Sequence, residues 1–359
     1  MSSYLYYVLP ALGGYTLTSL YLLKNPQVLH GKKCVAFRCR HISHRGGSGE
    51  RIESTMEAFT HYLPIYTLSP KAGPLTISQV HAGIRRRSRL PAVPFSDCSS
   101  AVEAGTEMLE LDCHMTKDGY VIVSHDENLL RQTGVDVNIS SVNFEELPLY
   151  KERLEVTFHD GHFSTGTDRK FALLEDVFRA FPKVPINIEI KEDNDELIKK
   201  VSSLVKEYDR EKITVWASVK SLIMDKCRKE NPEMPYMFTV RRGLQLLLFY
   251  YCGLLPFLPL GESFLQFYLP QVYNRKGYGG ENETDVSFCS RLTMRRSLFR
   301  HLAKRGIQVH LFVCNNTEDI EAAFAFGATG VMTDYPSLLS EYLRSHPPKA
   351  VPCVEPPGH

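Results

Sequence analysis

Short β-branched and apolar runs alternate with helical stretches along this chain, and this pattern constrains the fold more tightly than any other sequence feature. Apolar residues at positions 197, 198, 201, 204 and 205 form a helix face after the third run. Such an alternation predicts an α/β fold, a (β/α)8 TIM barrel, between residues 38 and 343. The runs predicted as strands are Phe37–Ser43, Met108–Cys113, Ile186–Ile190, Ile213–Ala217, Met237–Val240, Gln271–Tyr273, Val309–Cys314 and Val331–Thr333.

Charge and motif content exclude several classes of function. The 42 basic and 41 acidic residues give a net charge of +1, which argues against a nucleic-acid partner. The nine cysteines are scattered, without a CxxC pair, so neither a disulfide framework nor a zinc ribbon is predicted. Neither GxxxxGK[ST] nor GxGxxG occurs, so nucleotide binding has no motif to support it.

Two uncharged stretches predict contact with a membrane. Residues 1–23 carry no charge, and twenty helical residues span ~30 Å, so residues 1–30 predict an uncleaved N-terminal transmembrane helix. A buried or interfacial helix is the alternative. The second stretch, residues 243–261, contains Pro256 and Pro259 and predicts a membrane-associated hairpin or dip, with a buried core helix as the alternative.

Two further segments differ in composition from the predicted barrel. Residues 60–99 hold five prolines and the run Arg85–Arg87, which predicts a basic, irregular insert. Residues 344–359 end in a Pro-rich stretch and predict a disordered tail.

Acidic residues stand where predicted barrel strands end. Glu110 and Asp112 are two positions apart on one strand and therefore point to the same face. Glu189 ends the next predicted strand, and working residues of this fold lie at that end of the barrel. Converging carboxylates repel one another unless a cation lies between them, and hard oxygen ligands favour Ca²⁺ or Mg²⁺. We therefore expect a divalent-cation site here.

Two histidines are expected at the same end. His44 follows the first predicted strand, and Asp118-Gly119 predicts a hairpin that returns His125 to a position opposite Asp112. The next residue, Asp126, is suited to orient the His125 imidazole. The two histidines predict a general acid and a general base. Arg45 and Lys191 add positive charge for a phosphate, so the set predicts phosphodiester cleavage.

These residues resemble the glycerophosphodiester phosphodiesterase (GDPD) family over residues 40–343. The matching segments are HRGGSGERIESTMEAF (44–59), GTEMLELDCHMTKDGYVIVSHDENL (105–129), INIEIK (186–191), VWAS (215–218) and GATGVMTDYP (327–336). The apolar N-terminus, SLVKEYDREKITVWAS and YYCGLLPFLPL are similar to its membrane-anchored lysophospholipase D-type subgroup. That likeness implies a lysophospholipid or glycerophosphodiester substrate, release of the head-group alcohol, and a membrane partner.

The resemblance also implies roles for individual residues. His44 and His125 match the catalytic histidines, Arg45 and Lys191 match the phosphate contacts, and Glu53 matches an active-site glutamate that supports them. Glu110, Asp112 and Glu189 match the metal ligands. The chain departs from the family pattern in three places. It has Ser54 where the family usually has Asn, and Phe312 where the family often has Trp. It also has 41 residues between Phe59 and Ala101, where family members have only a few.

Three interpretations of function follow from these observations. The first is an active, membrane-bound, metal-dependent phosphodiesterase that produces lysophosphatidic acid from lysophospholipids. The second is a non-catalytic membrane-bound isoform whose barrel is disrupted by the insert at 60–99. The third is an enzyme of the same fold that forms a cyclic phosphate by internal attack. We expect a location at the endoplasmic reticulum or another internal membrane. Basic residues after the first apolar stretch favour a cytosolic catalytic side, whereas three glycosylation sequons would suit a lumenal one.

Overall fold

A computed structural model of the chain describes residues 2–61, 105–275 and 290–347. Most of the predicted insert at 60–99 and of the predicted tail at 344–359 lies outside these residues, and both stay predictions.

Eight parallel β-segments close into a barrel within the described residues, as the sequence predicted. Seven of them are the strands β1 (His41–Ser43), β2 (Met108–Met115), β7 (Ile186–Ile190), β8 (Thr214–Ala217), β9 (Phe264–Tyr268), β10 (Gln308–Phe312) and β11 (Gly330–Thr333). Around the ring, β1 pairs with β2, β2 with β7 and β7 with β8, and β9 pairs with β10, β10 with β11 and β11 with β1. The eighth segment is Tyr236 and Met237, whose parallel bridges join β8 to β9 and complete the circle.

Short antiparallel strands and a ring of helices surround this barrel. The outer strands are β3 (Val121–Val123), β4 (Arg153–Glu155), β5 (Phe163–Thr165) and β6 (Ala172–Leu173). The helices are α1 (Ser2–Lys24), α2 (Met56–Thr60), α3 (Leu130–Thr133), α4 (Leu174–Ala180), α5 (Asp195–Glu207), α6 (Ser221–Glu230), α7 (Val240–Tyr251), α8 (Pro270–Arg275), α9 (Arg296–Lys304), α10 (Thr317–Phe326) and α11 (Pro336–Ser345).

Helix α5 shows how the helical spacing of apolar residues packs a helix against the barrel. Its N-cap residue Asn194 accepts hydrogen bonds from the first-turn amides, and Leu197, Ile198 and Val201 are buried. The helix predicted from positions 197–205 is thereby confirmed. Its buried face packs into the same apolar core as β2 and β7, the two strands that carry the acidic residues.

The prediction of a sixth strand at Gln271–Tyr273 was wrong. Those residues lie in helix α8, which begins at Pro270, and the strand is the preceding run Phe264–Tyr268. Proline is favoured in the first turn of a helix because it has no amide hydrogen to leave unpaired. Pro270 therefore marks the end of the strand, a signal that the sequence contained.

The predicted hairpin forms between β2 and β3 with a register one residue different from the prediction. Cys113 pairs with Val123, so Ser124, and not His125, lies opposite Asp112. The turn is longer than two residues because Thr116 and Tyr120 close it and Gly119 adopts a positive φ of 84°. His125 follows the hairpin pairing instead of belonging to it.

The transmembrane anchor expected at the N terminus is not supported. In the part of the chain that the structure describes, no helix is both long enough and apolar enough for a membrane crossing. Helix α1 has the length, but its glycine, threonine, serine and tyrosine residues lower its apolar content. The Tyr15 hydroxyl donates to the Cys252 carbonyl at 2.5 Å, and the Ser19 hydroxyl donates to the Gly253 carbonyl at 2.6 Å, so the second half of α1 lies against the chain just after α7.

The second apolar stretch, 243–261, forms most of α7 and a short turn after it. Helix α7 ends at Tyr251, and a 3-10 turn at Leu255–Phe257 follows. Leu246 is buried against the barrel whereas Leu244 and Leu248 are exposed. The stretch is therefore an amphipathic helix on the barrel surface.

Candidate active site

The turn after β1 fixes the first histidine and the arginine beside it. His44–Gly46 form one 3-10 turn in which Arg45 has a φ of 51°, and its amide donates to Glu110 Oε2 at 2.9 Å. Gly47 has a φ of 101°, and a Cβ there would lie 2.7 Å from Pro336 Cγ. Only glycine suits that position, because both the conformation and the space exclude a side chain.

Three carboxylates converge at the mouth of the barrel. Glu110 and Asp112 point the same way from β2, and the parallel register sets Glu189 of β7 beside Asp112. One ligand oxygen from each lies within 4.8 Å of the others. Burial and the Asp112 charge raise the pKa of Glu110 to about 7, and the same two causes raise the pKa of Glu189.

This carboxylate set fits a hard divalent cation. Asp112 Oδ2 is buried and accepts no hydrogen bond from any described residue. Burial would raise the pKa of Asp112, but Lys191, His125 and Arg45 outweigh burial and lower it. The buried negative charge and the unpaired oxygen are what Ca²⁺ or Mg²⁺ would satisfy, since both prefer oxygen ligands.

Asp334 orients His44 and was not among the predicted site residues. Its Oδ1 lies 2.6 Å from His44 Nδ1, while Nε2 of the same ring lies 3.9 Å from Glu110 Oε2. Ser48 donates to the same Asp334 oxygen, and the Asn315 amide donates to the other at 2.7 Å. The ring therefore presents Nε2 to the carboxylate cluster. Asp334 follows β11 directly, and that strand-end position was the signal that could have identified it.

His125 lies beside Asp126, the residue that the sequence predicted to orient it. His125 Nδ1 lies 2.5 Å from Asp126 Oδ1, and Arg131 Nε donates to Asp126 Oδ2 at 2.6 Å. Burial and then Arg45 lower the pKa of His125, against the opposing effect of Asp126. The imidazole keeps a free Nε2 while its other nitrogen is fixed.

A further histidine, His114, lies next to the backbone of His125, and sequence analysis missed it. His114 Nε2 is 3.3 Å from the His125 carbonyl oxygen, and His114 Nδ1 contacts the carboxylates of Glu192 and, at 3.2 Å, Glu127. Burial lowers the pKa of His114, but the two glutamates outweigh burial and raise it to about 9. This charged cluster supports the backbone that carries His125.

Arg45 is buried among acidic groups. Its Nη1 donates to Glu53 Oε2 at 3.0 Å and to Thr157 Oγ1 at 3.1 Å, and its Nε lies 3.9 Å from Asp112 Oδ2. Glu53 also accepts from Arg131. Burial alone would raise the pKa of Glu53, but Arg45 and Arg131 lower it to about 2. Glu53 thus holds the Arg45 side chain by an ion pair.

Lys191 completes the set on the open side of the site. Its Nζ lies 2.7 Å from Asp112 Oδ1, and its side chain is partly exposed. The structure therefore brings together every residue that the sequence predicted for this site, and it adds Asp334, Arg131 and Thr157. The roles of these residues stay predictions.

Comparison with known proteins agrees with this geometry. The model of the glycerophosphoryl diester phosphodiesterase family matches residues 97–338. The chain belongs to this family. It is 44% identical to lysophospholipase D GDPD3 of Homo sapiens over 98% of this chain and 99% of that protein. It is 43% identical to lysophospholipase D GDPD1 of Homo sapiens over 95% of this chain and 97% of that protein.

A solved structure shares the fold at low sequence identity. A phosphodiesterase of Oleispira antarctica, in complex with the product sn-glycerol-3-phosphate, superposes with a TM-score of 0.51 at 15% identity. The match covers 86% of this chain and 98% of that one. It agrees with the barrel described above.

This member of the family has an aromatic wall beside His44. The Phe158 ring lies 5.6 Å from the His44 ring, Tyr268 lies 5.6 Å from Phe158, and Phe312 lies 4.5 Å from Tyr268. Tyr268 and Phe312 end β9 and β10, across the barrel from β2 and β7, so they give the site an apolar side opposite the carboxylates.

Proposed function

We propose that this chain is a lysophospholipase D, a metal-dependent hydrolase that cleaves lysophospholipids to a head-group alcohol and lysophosphatidic acid. The observation that carries the proposal is the convergence of three buried carboxylates, two oriented histidines and two cationic side chains at one end of the barrel. Full-length identity of 43–44% to proteins named lysophospholipase D supports the substrate class.

Glu110, Asp112 and Glu189 would hold Ca²⁺ or Mg²⁺. When bound, the cation supplies a Lewis acid for the phosphoryl oxygens. Arg45 and Lys191 add positive potential where the phosphate carries its charge. They favour the transition state because negative charge grows on those oxygens.

The two histidines move the protons of the reaction. One imidazole accepts a proton from water as the water oxygen bonds to phosphorus, and the other donates a proton to the head-group oxygen as its bond to phosphorus breaks. Asp334 and Asp126 each fix Nδ1 of one ring, so both rings present Nε2. The described residues retain every group this reaction requires, which favours catalysis over a non-catalytic isoform.

We also propose that the protein acts at a membrane surface, and we favour an internal membrane such as the endoplasmic reticulum. Helix α1 exposes Leu9, Leu12 and Leu17, and α7 exposes Leu244 and Leu248. The hydrogen bonds from Tyr15 and Ser19 to the end of α7 join these two apolar surfaces. Exposed apolar helix faces of this kind suit the interface of a bilayer.

The test of the activity uses purified full-length protein and lysophosphatidylcholine, with EDTA, Ca²⁺ or Mg²⁺. We expect choline and lysophosphatidic acid only with a cation, and none from Asp112→Asn. Glu196→Gln, at an exposed position of α5, serves as the control. Choline release that continues in EDTA would contradict the metal site, and no release with either cation would contradict the activity. Reaction in ¹⁸O-water separates hydrolysis, which labels the phosphate, from formation of a cyclic phosphate.

A further inference from the structure

An apolar pocket of about 200 Å³ lies between helix α7, strand β9 and helix α9. Its wall includes Leu244 and Leu247 from α7, Phe267 from β9 and Leu298 from α9. Gln266 points into the barrel, where it donates to Asn187, so its neighbour Phe267 points outward to the pocket. Leu244 lines the pocket and is 64% exposed, so the pocket opens to solvent on that side.

The pocket is only a few residues from the carboxylate cluster. Val219 forms part of its wall and accepts a hydrogen bond from the Val240 amide at 3.1 Å. The next residue, Lys220, donates to the Lys191 carbonyl at 3.3 Å. Lys191 in turn lies 2.7 Å from Asp112. Val219 and Lys220 follow the end of β8, and Lys191 follows the end of β7, so the pocket and the carboxylate cluster lie at the same rim of the barrel.

We propose that this pocket binds the acyl chain of the substrate while its phosphate lies at the carboxylate cluster. The proposal rests on the proposed function, since it concerns how the same site selects lysophospholipids. The pocket wall is almost wholly apolar, so a peptide entering it would leave backbone amides without partners, at a high cost. A hydrocarbon chain has no such groups, and a lysophospholipid has one chain to place.

If the acyl chain binds in this pocket, kcat/KM depends on the length of that chain. Each methylene that leaves water for the pocket raises kcat/KM about fourfold until the pocket is full. Glycerophosphocholine has the same phosphodiester without a chain, so it reports on the catalytic residues alone. We expect kcat/KM for monomeric lysophosphatidylcholines to rise with chain length and then level off.

Gly243 offers a way to fill the pocket without changing the catalytic residues. It lines the pocket, and a Cβ at this position would have no heavy atom within 4 Å. We expect Gly243→Phe to lower kcat/KM for the longest monomeric lysophosphatidylcholine at least tenfold, with glycerophosphocholine turnover within twofold of wild type. Leu247→Ala, which enlarges the pocket, should move the plateau to longer chains.

Two control variants distinguish pocket filling from general damage to α7. Gly243→Ala adds a methyl group only, and Leu248→Ser alters a residue that is 58% exposed on the same helix and absent from the pocket wall. Both should retain the wild-type chain-length profile in monomeric substrate. The pocket proposal would be overturned if Gly243→Phe cleaved lysophospholipids as fast as wild type. It would also be overturned if this variant lost equal activity on lysophospholipid and on glycerophosphocholine. Wild-type protein that cleaves glycerophosphocholine but no lysophospholipid would overturn the proposed function itself.

Discussion

Nδ1 of His44 lies 2.6 Å from Oδ1 of Asp334, across the closing pair of strands β1 and β11. A carboxylate on Nδ1 holds the proton there and leaves Nε2 for exchange with substrate or water. The same carboxylate stabilises the imidazolium that forms when Nε2 takes up a proton. We therefore expect Asp334 to act on the reaction through His44.

We expect Asp334→Asn to lower kcat by about 10²-fold, the lower end of what one general acid or base contributes. The protein should remain folded, because the asparagine side chain has nearly the same shape. The split between kcat and KM is the decisive measurement, and kcat should fall while KM for lysophosphatidylcholine stays close to that of wild type. Ser48→Ala removes one partner of Asp334 and should cost less than tenfold. A kcat close to that of wild type in Asp334→Asn, or a loss expressed mainly in KM, would contradict the role assigned to Asp334.

The carboxylate cluster predicts how stability responds to pH without a cation. Burial and Asp112 raise the pKa of Glu110 to about 7 in the folded protein, above its ordinary value of 4.5. Ionising Glu110 is therefore easier in the unfolded chain, and in EDTA its effect on stability becomes unfavourable as pH rises from 4.5 through 7. Glu110→Gln should remove this effect and be more stable than wild type above pH 7, by on the order of 1–3 kcal/mol.

Added cation should act in the opposite direction and favour wild type. Wild type gains stability with Ca²⁺ or Mg²⁺, about 2.7 kcal/mol at a hundredfold excess over Kd, and Glu110→Gln gains less. Thermal unfolding in EDTA and in each cation, between pH 5 and 8, measures both effects without any activity assay. Equal cation shifts in wild type and Glu110→Gln would show that the ion binds somewhere else.

The alternation of strand residues explains why this cluster was predictable from sequence. Glu110 and Asp112 share a face because side chains alternate along any strand, and Glu189 joins them because parallel strands end at one rim. Asp334 was less visible because one aspartate after a strand has no sequence pattern that names its partner. Its contact with His44 depends on closure of the barrel, which joins residues 290 positions apart.

The hairpin register shows where local sequence signals stop being sufficient. Asp118-Gly119 identified the turn correctly, but the number of turn residues depends on how Thr116 and Tyr120 close it. One extra residue moves every later partner by one position and would change the face of each side chain. His125 still reaches the site because it follows the paired residues of β3. Beyond that pairing, side chains no longer have to alternate between the two faces of the sheet.

His44→Ala and His125→Ala should each lower kcat by about 10²–10⁴-fold, the range that general acid–base catalysis contributes. Each ring presents Nε2 to the site and is fixed at Nδ1 by a carboxylate. Because both protons move in one displacement, the double variant should fall little further than the slower single variant. His346→Ala, at an exposed position after α11, is the matched control. A single variant with near-wild-type kcat would remove that histidine from the mechanism.

Glu53→Gln tests the buried charge network around Arg45, and its pH dependence has the opposite sign to that of Glu110. Arg45 and Arg131 outweigh burial and lower the pKa of Glu53 to about 2 in the folded protein, from 4.5 when unfolded. Its ionised form therefore stabilises the fold fully above pH 4.5, and this contribution is lost as pH falls toward 2. Glu53→Gln should cost about 3 kcal/mol at pH 7, since it also leaves buried Arg45 without its closest carboxylate.

The difference in unfolding free energy between Glu53→Gln and wild type should shrink between pH 4.5 and pH 2. Chemical denaturation at several pH values in that range measures it. Glu152→Gln provides the comparison, because Glu152 pairs with Arg169 at 3.2 Å but its side chain is 86% exposed. An exposed pair of this kind contributes less than about 1 kcal/mol. A pH-independent difference for Glu53→Gln would mean that Glu53 packs in the core without holding Arg45 by its charge.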